Sequence, residues 1–452
     1  MNFKAFKLVL YFCVYYCIIS CNGKYQLVIY NEGKRYSDSL EVREYLISDR
    51  AQRIEYKKDG ISQAVIKITA PKCIVQAEQE EPWGFYQFPS IGRTNDGKLI
   101  VSWQMQEDSH KSYGRMPNRK VTPMMSKDKG NTWIPQDKSY KLYSQGYNIN
   151  LSNGDYLEVY TPPAKDIRAY KTFPKEVSSK GNTFFYRLAS LPKELQGIYM
   201  SYRSYSGESK TIHSTLSDPG ALRYAIDGLM PIVWWGNIKE LADKSLIAGI
   251  YPALYQDSLG KVMPGGVSFY KSDDVGSSWH VIGKIPFIFD GIANIRGNLS
   301  FDEPAFEILN DSTFLCVMRS GAVSPMYKTF SSDRGKTWSR PVPFTPNGVK
   351  PRLLKLKNGV LVLASGRPGI QIRFSYDGTG RVWSDPLDMI PFMKSDGSYN
   401  RKVSCGYASI IEADNNSFYI VYSDFTNKDF WGRTRKTIFC RKVTVDLEGH
   451  DR

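Results

Sequence analysis

The 452-residue sequence lacks the motifs that usually bind metals or carry redox chemistry. It has only four histidines and seven cysteines, and no two cysteines form a C-x-x-C pair. His213 and His280 have no ligand-type residues around them, so we predict no catalytic metal and no cofactor. The cysteines after residue 21 are widely scattered and lie mostly in apolar, strand-like runs. We expect them to be buried free thiols rather than a disulfide framework.

Long apolar runs and clusters of basic residues are also missing from most of the chain. After residue 20 no apolar stretch reaches the roughly 18 residues of a membrane-spanning helix, so we predict no further span. The 60 Lys and Arg residues outnumber the 45 Asp and Glu residues and give a net charge of +15. Because these cations form no run typical of a nucleic-acid-binding arm, we predict no nucleic-acid partner. The excess charge favours acidic partners such as anionic glycans, or is simply a solvated basic surface.

The N-terminus is the exception to the lack of apolar runs. Lys4 and Lys7 precede a short apolar stretch over residues 8–19, which is typical of a signal peptide at residues 1–20. The following "IISC" resembles a bacterial lipobox, and this resemblance implies cleavage before Cys21 and lipidation of its thiol. The alternative is an ordinary signal peptide with a chance cysteine. We therefore expect an exported protein of the bacterial cell envelope, anchored to a membrane by lipid.

Helical periodicity is scarce, whereas one turn-and-strand pattern recurs six times. In each copy a turn rich in Asn, Asp and Gly precedes a short run of β-branched and aromatic residues, which predicts a tight hairpin. The six copies are "TNDGKLIVSW" (94–103), "LSNGDYLEVY" (151–160), "LADKSLIAGI" (241–250), "LNDSTFLCVM" (309–318), "LKNGVLVLAS" (356–365) and "ADNNSFYIVY" (413–422). Their spacing is typical of four-stranded blades with loop insertions. We predict an all-β, six-bladed β-propeller over residues 81–452, after an N-terminal extension or small β module at 21–80.

A second motif, S-x-D-x-G-x-[ST]-W, follows three of these predicted hairpins. It occurs in "MSKDKGNTWI" (125–134), "KSDDVGSSWH" (271–280) and "SSDRGKTWSR" (331–340), with a degenerate copy in "SYDGTGRVW" (375–383). Ser and Asp can bind the amides of a tight turn, Gly permits a left-handed residue and Trp can pack between sheets. We therefore interpret Asp128, Asp274 and Asp333 as fold residues that join the third and fourth strands of a blade.

Reactive side chains lie at the predicted starts of the inner strands, which line one mouth of a propeller's central funnel. Glu303, Arg352 and Tyr407 are all at such positions. A phenol is a poor nucleophile at its ordinary pKa of about 10, but a neighbouring carboxylate can act as its base. A neutral phenol suits a negatively charged substrate, because a carboxylate nucleophile would be repelled. Trp234 and Trp235 begin the third inner strand and either stack on a sugar or belong to the core.

The repeated motif resembles the Asp-box of sialidases and their six-bladed propeller relatives. The segment "DEPAFEILNDSTFLCVMRSG" is similar to the sialidase segment in which a Glu opens an inner strand and an Arg closes the next. The resemblance implies that Glu303 is the base partner of the nucleophile and that Arg319 binds the substrate carboxylate. "GRPGIQIRFSYDG" and "GYASIIEADNNSFYIVYSD" resemble the segments that hold the third arginine and the nucleophile, here Arg367 and Tyr407.

The general acid is less well specified by this resemblance. In sialidases it is an Asp in the loop after the first inner hairpin, which here reads "WQMQEDSHKSYG". Asp108 is the first candidate, and Glu107 and His110 are its rivals.

The sequence departs from the sialidase pattern at the first inner strand. A [FY]-R-I-P motif normally supplies the first of three carboxylate-binding arginines, but this chain has "YQFPS" with Gln87 in the arginine position. An uncharged amide makes a contact about half as strong as a charge-assisted one. Either the substrate is not an ordinary sialic acid or another cation compensates. Arg352 is the first candidate for that cation, and Arg93 and Arg115 are less well placed.

These observations predict a monomeric exo-glycosidase that removes terminal acidic, sialic acid-like sugars from glycans with a retaining mechanism. Tyr407 is the predicted nucleophile, Glu303 its base and Asp108 the acid, while Arg319, Arg367, Arg352 and Gln87 bind the substrate. One alternative is a propeller hydrolase or lyase that acts on a uronate-containing polysaccharide. Another is a non-catalytic, glycan-binding surface lipoprotein.

Overall fold

The computed structural model describes residues 30–31, 34–35, 52–58, 61–94, 96–108, 119, 121–136, 147–288, 300–321, 324–390, 392, 400 and 402–447. The predicted signal peptide and the lipidation site Cys21 lie outside these ranges. Within them, no helix is both long enough and apolar enough to span a membrane. The four cysteines in the ranges have free thiols; Cys316, Cys405 and Cys440 are buried, whereas Cys73 is exposed.

Most of the described strands form antiparallel sheets, and one parallel pairing, between Ser209–Ser217 and Ser278–Ile285, joins the second and third of these sheets edge to edge. Sheet 1 consists of Phe85–Arg93, Leu99–Met105, Met124–Ser126 and Ile134–Pro135. Sheet 2 consists of Tyr147–Asn150, Tyr156–Tyr160, Ile198–Arg203 and Ser209–Ser217. Sheet 3 consists of Trp235–Glu240, Leu246–Ala253, Gly266–Ser272 and Ser278–Ile285. Sheet 4 consists of Asp302–Ile308, Phe314–Arg319, Met326–Ser331 and Val342–Thr345. Sheet 5 consists of Val349–Lys355, Leu361–Gly366, Ile370–Ser375 and Leu387–Asp388. Sheet 6 contains Ala408–Asp414, Ser417–Asp424 and Thr437–Leu447 together with Gln52–Lys58, Ile61–Ile68 and Lys72–Gln76.

The first strands of the sheets pack side by side around a common centre. Those of sheets 2 to 6 contact one another in sequence, and the first strand of sheet 6 contacts that of sheet 1. The circuit is completed where the side-chain amide of Asn150 approaches the carbonyl oxygen of Arg93 at 3.5 Å. This arrangement confirms the prediction of an all-β, propeller-type fold. The assignment of six blades around one axis stays a prediction.

All six predicted hairpins are present as the first two strands of their sheets. Three of the turns contain the left-handed glycine that their Asn, Asp and Gly clusters indicated, namely Gly97 at φ 82°, Gly154 at φ 89° and Gly359 at φ 91°. Gly97 and Gly359 have open space where a Cβ would be, so the backbone angle rather than crowding requires glycine there.

The repeated Asp motif closes the turn between the third and fourth strands of sheets 1, 3, 4 and 5. In sheet 4, Ser331 Oγ accepts from the amide of Gly335 at 2.8 Å and donates to Asp333 Oδ1 at 2.8 Å. The other donors to Asp333 are the amide and hydroxyl of Thr337, at 2.9 and 2.6 Å. The same bonds recur around Asp128, Asp274 and Asp377. These carboxylates therefore hold the turns.

The tryptophan of the motif connects neighbouring sheets. Trp338 in sheet 4 stacks on Phe269 of sheet 3, with ring centroids 4.3 Å apart, and its Nε1 donates to the carbonyl of Gly335 at 3.0 Å. Trp383 in sheet 5 lies 5.5 Å from Phe344 of sheet 4. Each aromatic pair packs against the hydrophobic cluster that two neighbouring sheets share.

The N-terminal strands belong to the last sheet and not to a separate module. Ile61–Ile68 and Lys72–Gln76 both pair with the outer edge of Thr437–Leu447, with Ile66 opposite Val445. Ile66 is fully buried in the core cluster of sheets 5 and 6, beside Phe374 and Phe418. The predicted division at residue 80 therefore does not follow a structural boundary, because the strands at 52–58, 61–68 and 72–76 complete sheet 6.

Replacing Ile66 with alanine should reduce the free energy of unfolding by about 2–4 kcal/mol, because it leaves a cavity in the core of sheets 5 and 6. Chemical denaturation of the purified protein measures this loss. Lys72→Ala, on an exposed position of the neighbouring strand, is the control and should change the free energy by less than about 0.5 kcal/mol. An unchanged value for Ile66→Ala would show that the N-terminal strands do not stabilise the propeller.

A further sheet is inserted into and after sheet 2. It contains five short strands, Lys165–Asp166, Ser178–Lys180, Thr183–Arg187, Leu222–Ile226 and Leu229–Met230, with the α-helix Lys193–Gln196 and the 3-10 turns Ile167–Ala169 and Leu188–Ser190 nearby. A small core around Tyr186, Leu195 and Met230 supports it. No pattern in the sequence predicted this inserted sheet.

Candidate functional site

The first strands of sheets 1, 4 and 5 begin with the same irregular backbone. In each, the register of the pairing shifts and a residue before proline has a positive φ: Phe88 at 52°, Glu303 at 50° and Lys350 at 47°. This conformation is uncommon for residues other than glycine and is often found at functional sites. The shift turns these three side chains away from the ordinary alternation of a strand.

Glu303 is the centre of a cluster formed by three sheets. Its carboxylate accepts the hydroxyl of Tyr407 from sheet 6 and, at 3.1 Å, an N–H of the Arg319 guanidinium at the end of the neighbouring strand. The second carboxylate oxygen accepts the backbone amide of Lys350 from sheet 5 at 2.8 Å. Only 5% of Glu303 is exposed to solvent, so both oxygens depend on these donors.

The charges around Glu303 decide its ionisation. Burial alone would raise the pKa of its carboxyl, but the positive charges of Arg319 and Lys350 outweigh burial and lower that pKa below its ordinary value. The hydrogen bonds from Tyr407 and from the Lys350 amide act in the same direction. Glu303 is therefore a carboxylate at neutral pH, which is the form that can accept a proton.

Tyr407 has the opposite shift. Burial and then the negative charge of Glu303 raise the pKa of its phenol well above 10, despite the opposing charges of Arg319 and Arg367. The phenol thus stays protonated at neutral pH until a base removes its proton. Its ring packs edge-on against Phe88, with centroids 4.7 Å apart, and Lys350 Nζ lies 5.5 Å from the ring centroid. These contacts fix the ring with its hydroxyl on Glu303.

Arg367 and Arg352 lie around the same tyrosine. Gly406 has φ 81°, and a Cβ there would come within 2.8 Å of the Arg367 side chain, so this arginine packs directly beside the residue before Tyr407. Arg352 and Tyr407 line one small pocket with Phe88 and Lys350. The structure therefore brings together four of the predicted residues, Tyr407, Glu303, Arg319 and Arg367, with Arg352 on the adjacent pocket wall.

Gln87 is placed differently from the prediction. It is fully buried, and with its amide oxygen turned towards the available donors it accepts from Lys436 Nζ at 3.0 Å and from the Gly84 amide at 3.2 Å. Lys436 also donates to the carbonyls of Pro82 and Phe85, at 2.7 and 3.3 Å, so its ammonium group is satisfied by the protein. Gln87 thus supports the wall of sheet 1, and the structure does not bring its amide to Glu303.

Asp108, the predicted acid, is exposed and touches the cluster only indirectly. It accepts a hydrogen bond from Trp83 Nε1 at 2.9 Å, and the Trp83 ring lies 6.4 Å from that of Phe88, which contacts Tyr407. Its rival Glu107 is exposed next to it.

Other predicted or weighed positions are structural or undescribed. Arg93 donates to the carbonyls of Gly97 and Glu412, at 3.1 and 2.6 Å, and so holds a hairpin of sheet 1 against sheet 6. Trp234 is a core residue, since it is 4% exposed and packs on Trp279 with centroids 4.8 Å apart. His110 and Arg115 lie outside the described residues. Within the described ranges, no group of three or more His, Cys, Asp or Glu residues is arranged to hold a metal.

Lys350 and Phe88 belong to the cluster but were not among the predicted site residues. Both precede a proline at the start of a first strand, as Glu303 does, in "YQFPS", "DEPAF" and "KPRLL". The shared X-Pro dipeptide was therefore a usable signal. The resemblance points instead to Gln87, one residue earlier, and the predicted start of the fifth inner strand points to Arg352, two residues after Lys350.

Comparison with known proteins gives similarity of fold only. No protein-family model matches the sequence, and no curated protein matches it. A protein of unknown function from Dyadobacter fermentans has a similar structure, with 15% identity, a TM-score of 0.56 and coverage of 83% of this chain and 99% of the other. The Hadza microbial sialidase Hz136 has 15% identity, a TM-score of 0.48 and coverage of 89% and 74%. The α-L-arabinanase of Penicillium chrysogenum has 14% identity, a TM-score of 0.47 and coverage of 82% and 97%.

Proposed function

We propose that the protein is a retaining exo-glycosidase that removes a terminal acidic sugar from a glycan. The observation that carries this proposal is the hydrogen bond between the Tyr407 hydroxyl and the Glu303 carboxylate, with Arg319 on the same carboxylate oxygen. A protonated phenol, an ionised base and a fixed cation are then in direct contact. Such a set can generate a nucleophile without placing a second negative charge beside an acidic substrate.

In the proposed reaction, Tyr407 Oη forms a bond to the anomeric carbon while the bond to the leaving oxygen breaks. The phenol proton passes to Glu303, and Asp108 protonates the leaving oxygen. Water then attacks the glycosyl-tyrosine, and its oxygen bonds to the anomeric carbon as the tyrosine oxygen leaves and regains its proton from Glu303. A water proton returns to the carboxylate of Asp108, so both acid groups regain their starting forms.

The acidic substrate is proposed because positive charge surrounds the tyrosine. Arg319 donates Nε to the carbonyl of Gly321 at 3.0 Å and one terminal N–H to Glu303, which fixes its guanidinium plane beside the cluster. Arg367 lies against Gly406, and Arg352 and Lys350 line the small pocket with Tyr407. A carboxylate on the bound sugar would add a charge-assisted contact to this group of cations. Export and lipid anchoring through Cys21 belong to the same proposal and rest on the sequence alone.

A screen of chromogenic glycosides tests the proposal. The purified protein should release the aryl group from at least one sialoside or uronide and should leave the neutral galactoside and glucoside of the same aryl group intact. Early product analysis by NMR should show retention of the anomeric configuration. A product that absorbs in the near ultraviolet would identify a lyase instead. Binding of acidic glycans without any turnover would overturn the proposal in favour of a binding protein.

A further inference from the structure

A second pocket lies between the inserted sheet and sheet 3, and it encloses about 50 Å³. Tyr224, Tyr251, Pro252 and Tyr255 are half-buried at its entrance. Its floor is formed by buried residues, namely Arg223, Trp234, Ser268 and Tyr270. We call it the Arg223 pocket. An aromatic entrance over a few polar groups is typical of pockets that bind small ligands, and this volume exceeds the space that a single water needs.

Arg223 is an unusual residue for such a floor. Only 9% of it is exposed, and its described hydrogen bonds go to two backbone carbonyls, those of Gln196 at 3.2 Å and Gly197 at 2.6 Å. Its Nε is buried and has no hydrogen-bond partner among the described residues. Burial lowers its pKa to about 10, so the guanidinium remains charged at neutral pH.

The acidic residue of this region is already balanced by other groups. Asp218 is buried and accepts the hydroxyls of Tyr255 and Tyr270, the latter at 2.9 Å. Lys284 Nζ lies 3.6 Å from the same carboxylate and 3.4 Å from the Tyr255 ring centroid. Among the described residues, the charge of Arg223 is therefore not paired with a carboxylate. A buried cation of this kind is costly unless an anion binds it.

The Arg223 pocket lies on the same side of the propeller as Tyr407. In sheet 3, Tyr251 pairs opposite Trp235, the first residue of the first strand. In sheet 4, Arg319 pairs opposite Asp302, which is also the first residue of the first strand. Tyr251 thus occupies in sheet 3 the position that Arg319 occupies in sheet 4. Sheet 3 also contacts the first strand of sheet 4, which contains Glu303.

We propose that the Arg223 pocket binds an anionic group, a carboxylate or a sulfate, on a sugar of the glycan other than the one cleaved at Tyr407. The guanidinium of Arg223 would donate a charge-assisted hydrogen bond to that anion, and the tyrosines at the entrance would contact the sugar ring. The identification of the ligand as a glycan rests on the proposed function. The proposal specifies a substrate with more than one acidic unit, which is consistent with the net charge of +15.

Titrations with methyl β-D-glucuronide and D-galactose 6-sulfate, followed by tryptophan fluorescence, test this pocket because Trp234 forms part of its floor. Arg319→Gln is used as the parent so that the cluster at Tyr407 contributes little to binding. One or both acidic sugars should bind, which distinguishes carboxylate from sulfate, and neutral methyl β-D-glucoside should not. Adding Arg223→Gln should weaken binding by about 10- to 100-fold, the loss expected for one charged hydrogen bond.

Two further variants keep the result interpretable. Ala253→Met fills the pocket without removing Arg223 and should also weaken binding, even if Arg223→Gln folds poorly. Arg187→Gln, at an exposed position of the inserted sheet, should leave binding unchanged. Three results would overturn the proposed anion site: equal affinity for the neutral sugar, no binding at all, or binding that survives both Arg223→Gln and Ala253→Met. These binding results do not affect the measurement of turnover at Tyr407. Failure of the anion site can therefore be distinguished from failure of the proposed glycosidase activity.

Discussion

Replacing Tyr407 with phenylalanine is expected to lower kcat/KM by at least about 10³-fold on any glycoside that the protein hydrolyses. The change removes one oxygen atom, which is both the proposed nucleophile and the donor to Glu303. The ring and its packing on Phe88 are retained, so the pocket keeps its shape. Steady-state kinetics of wild type and variant on the best substrate of the screen measure the loss, and the substrate dissociation constant should change much less than kcat.

Tyr419→Phe is the matched control because it makes the same chemical change in the same sheet. Tyr419 is 3% exposed, and its hydroxyl donates to the carbonyl of Lys129 at 2.9 Å, near the Asp motif of sheet 1. This variant should lose about 1 kcal/mol of stability and keep its kcat/KM. If Tyr407→Phe retains more than about a tenth of wild-type activity, the phenol is not the nucleophile and the proposed mechanism is wrong.

Local turn chemistry explains why the sequence predicted so much of the propeller. A hairpin needs only a few neighbouring residues to define it, and Gly97, Gly154 and Gly359 all adopt the left-handed angles that their turns require. The Asp motif is equally local, because the two residues that donate to Asp333, Ser331 and Thr337, lie within four positions of it. The strands of sheet 6 that come from the N-terminus could not be read in this way. Ile66 pairs opposite Val445, and nothing local links these two positions.

The candidate site was partly predictable for a similar reason. Glu303, Arg319 and Tyr407 lie at the ends of predicted strands, so their meeting follows once the sheets are arranged around a centre. The position of Gln87 depends instead on Lys436, which comes from the last sheet and turns the amide into the wall. The inserted sheet and Arg223 were also beyond prediction, because their strands pair across long intervals of chain.

Replacing Arg319 with glutamine is expected to lower kcat/KM at neutral pH by about 10²-fold or more, because it removes a charged contact both to Glu303 and to the proposed substrate carboxylate. It should also change the pH dependence. In the wild type the pKa of Glu303 is lowered, since the charges of Arg319 and Lys350 outweigh burial. The base form therefore persists below the ordinary glutamate pKa of about 4.3, and activity should be lost only below that pH. Without Arg319, burial is opposed by fewer charges, the pKa of Glu303 rises, and the acidic limb should move to higher pH.

Profiles of kcat/KM against pH for wild type, Arg319→Gln and Arg93→Gln measure this shift. Arg93 binds only backbone carbonyls in its described contacts, so its loss should lower stability and leave the acidic limb in place. Stability should follow the same sign: the contribution of Glu303 is complete above its unfolded pKa and is lost as pH falls through its lower folded value. Arg319→Gln should reduce that contribution and raise the pH at which it is lost. An acidic limb that stays in place in Arg319→Gln would mean that Glu303 is not the group that must be ionised for activity.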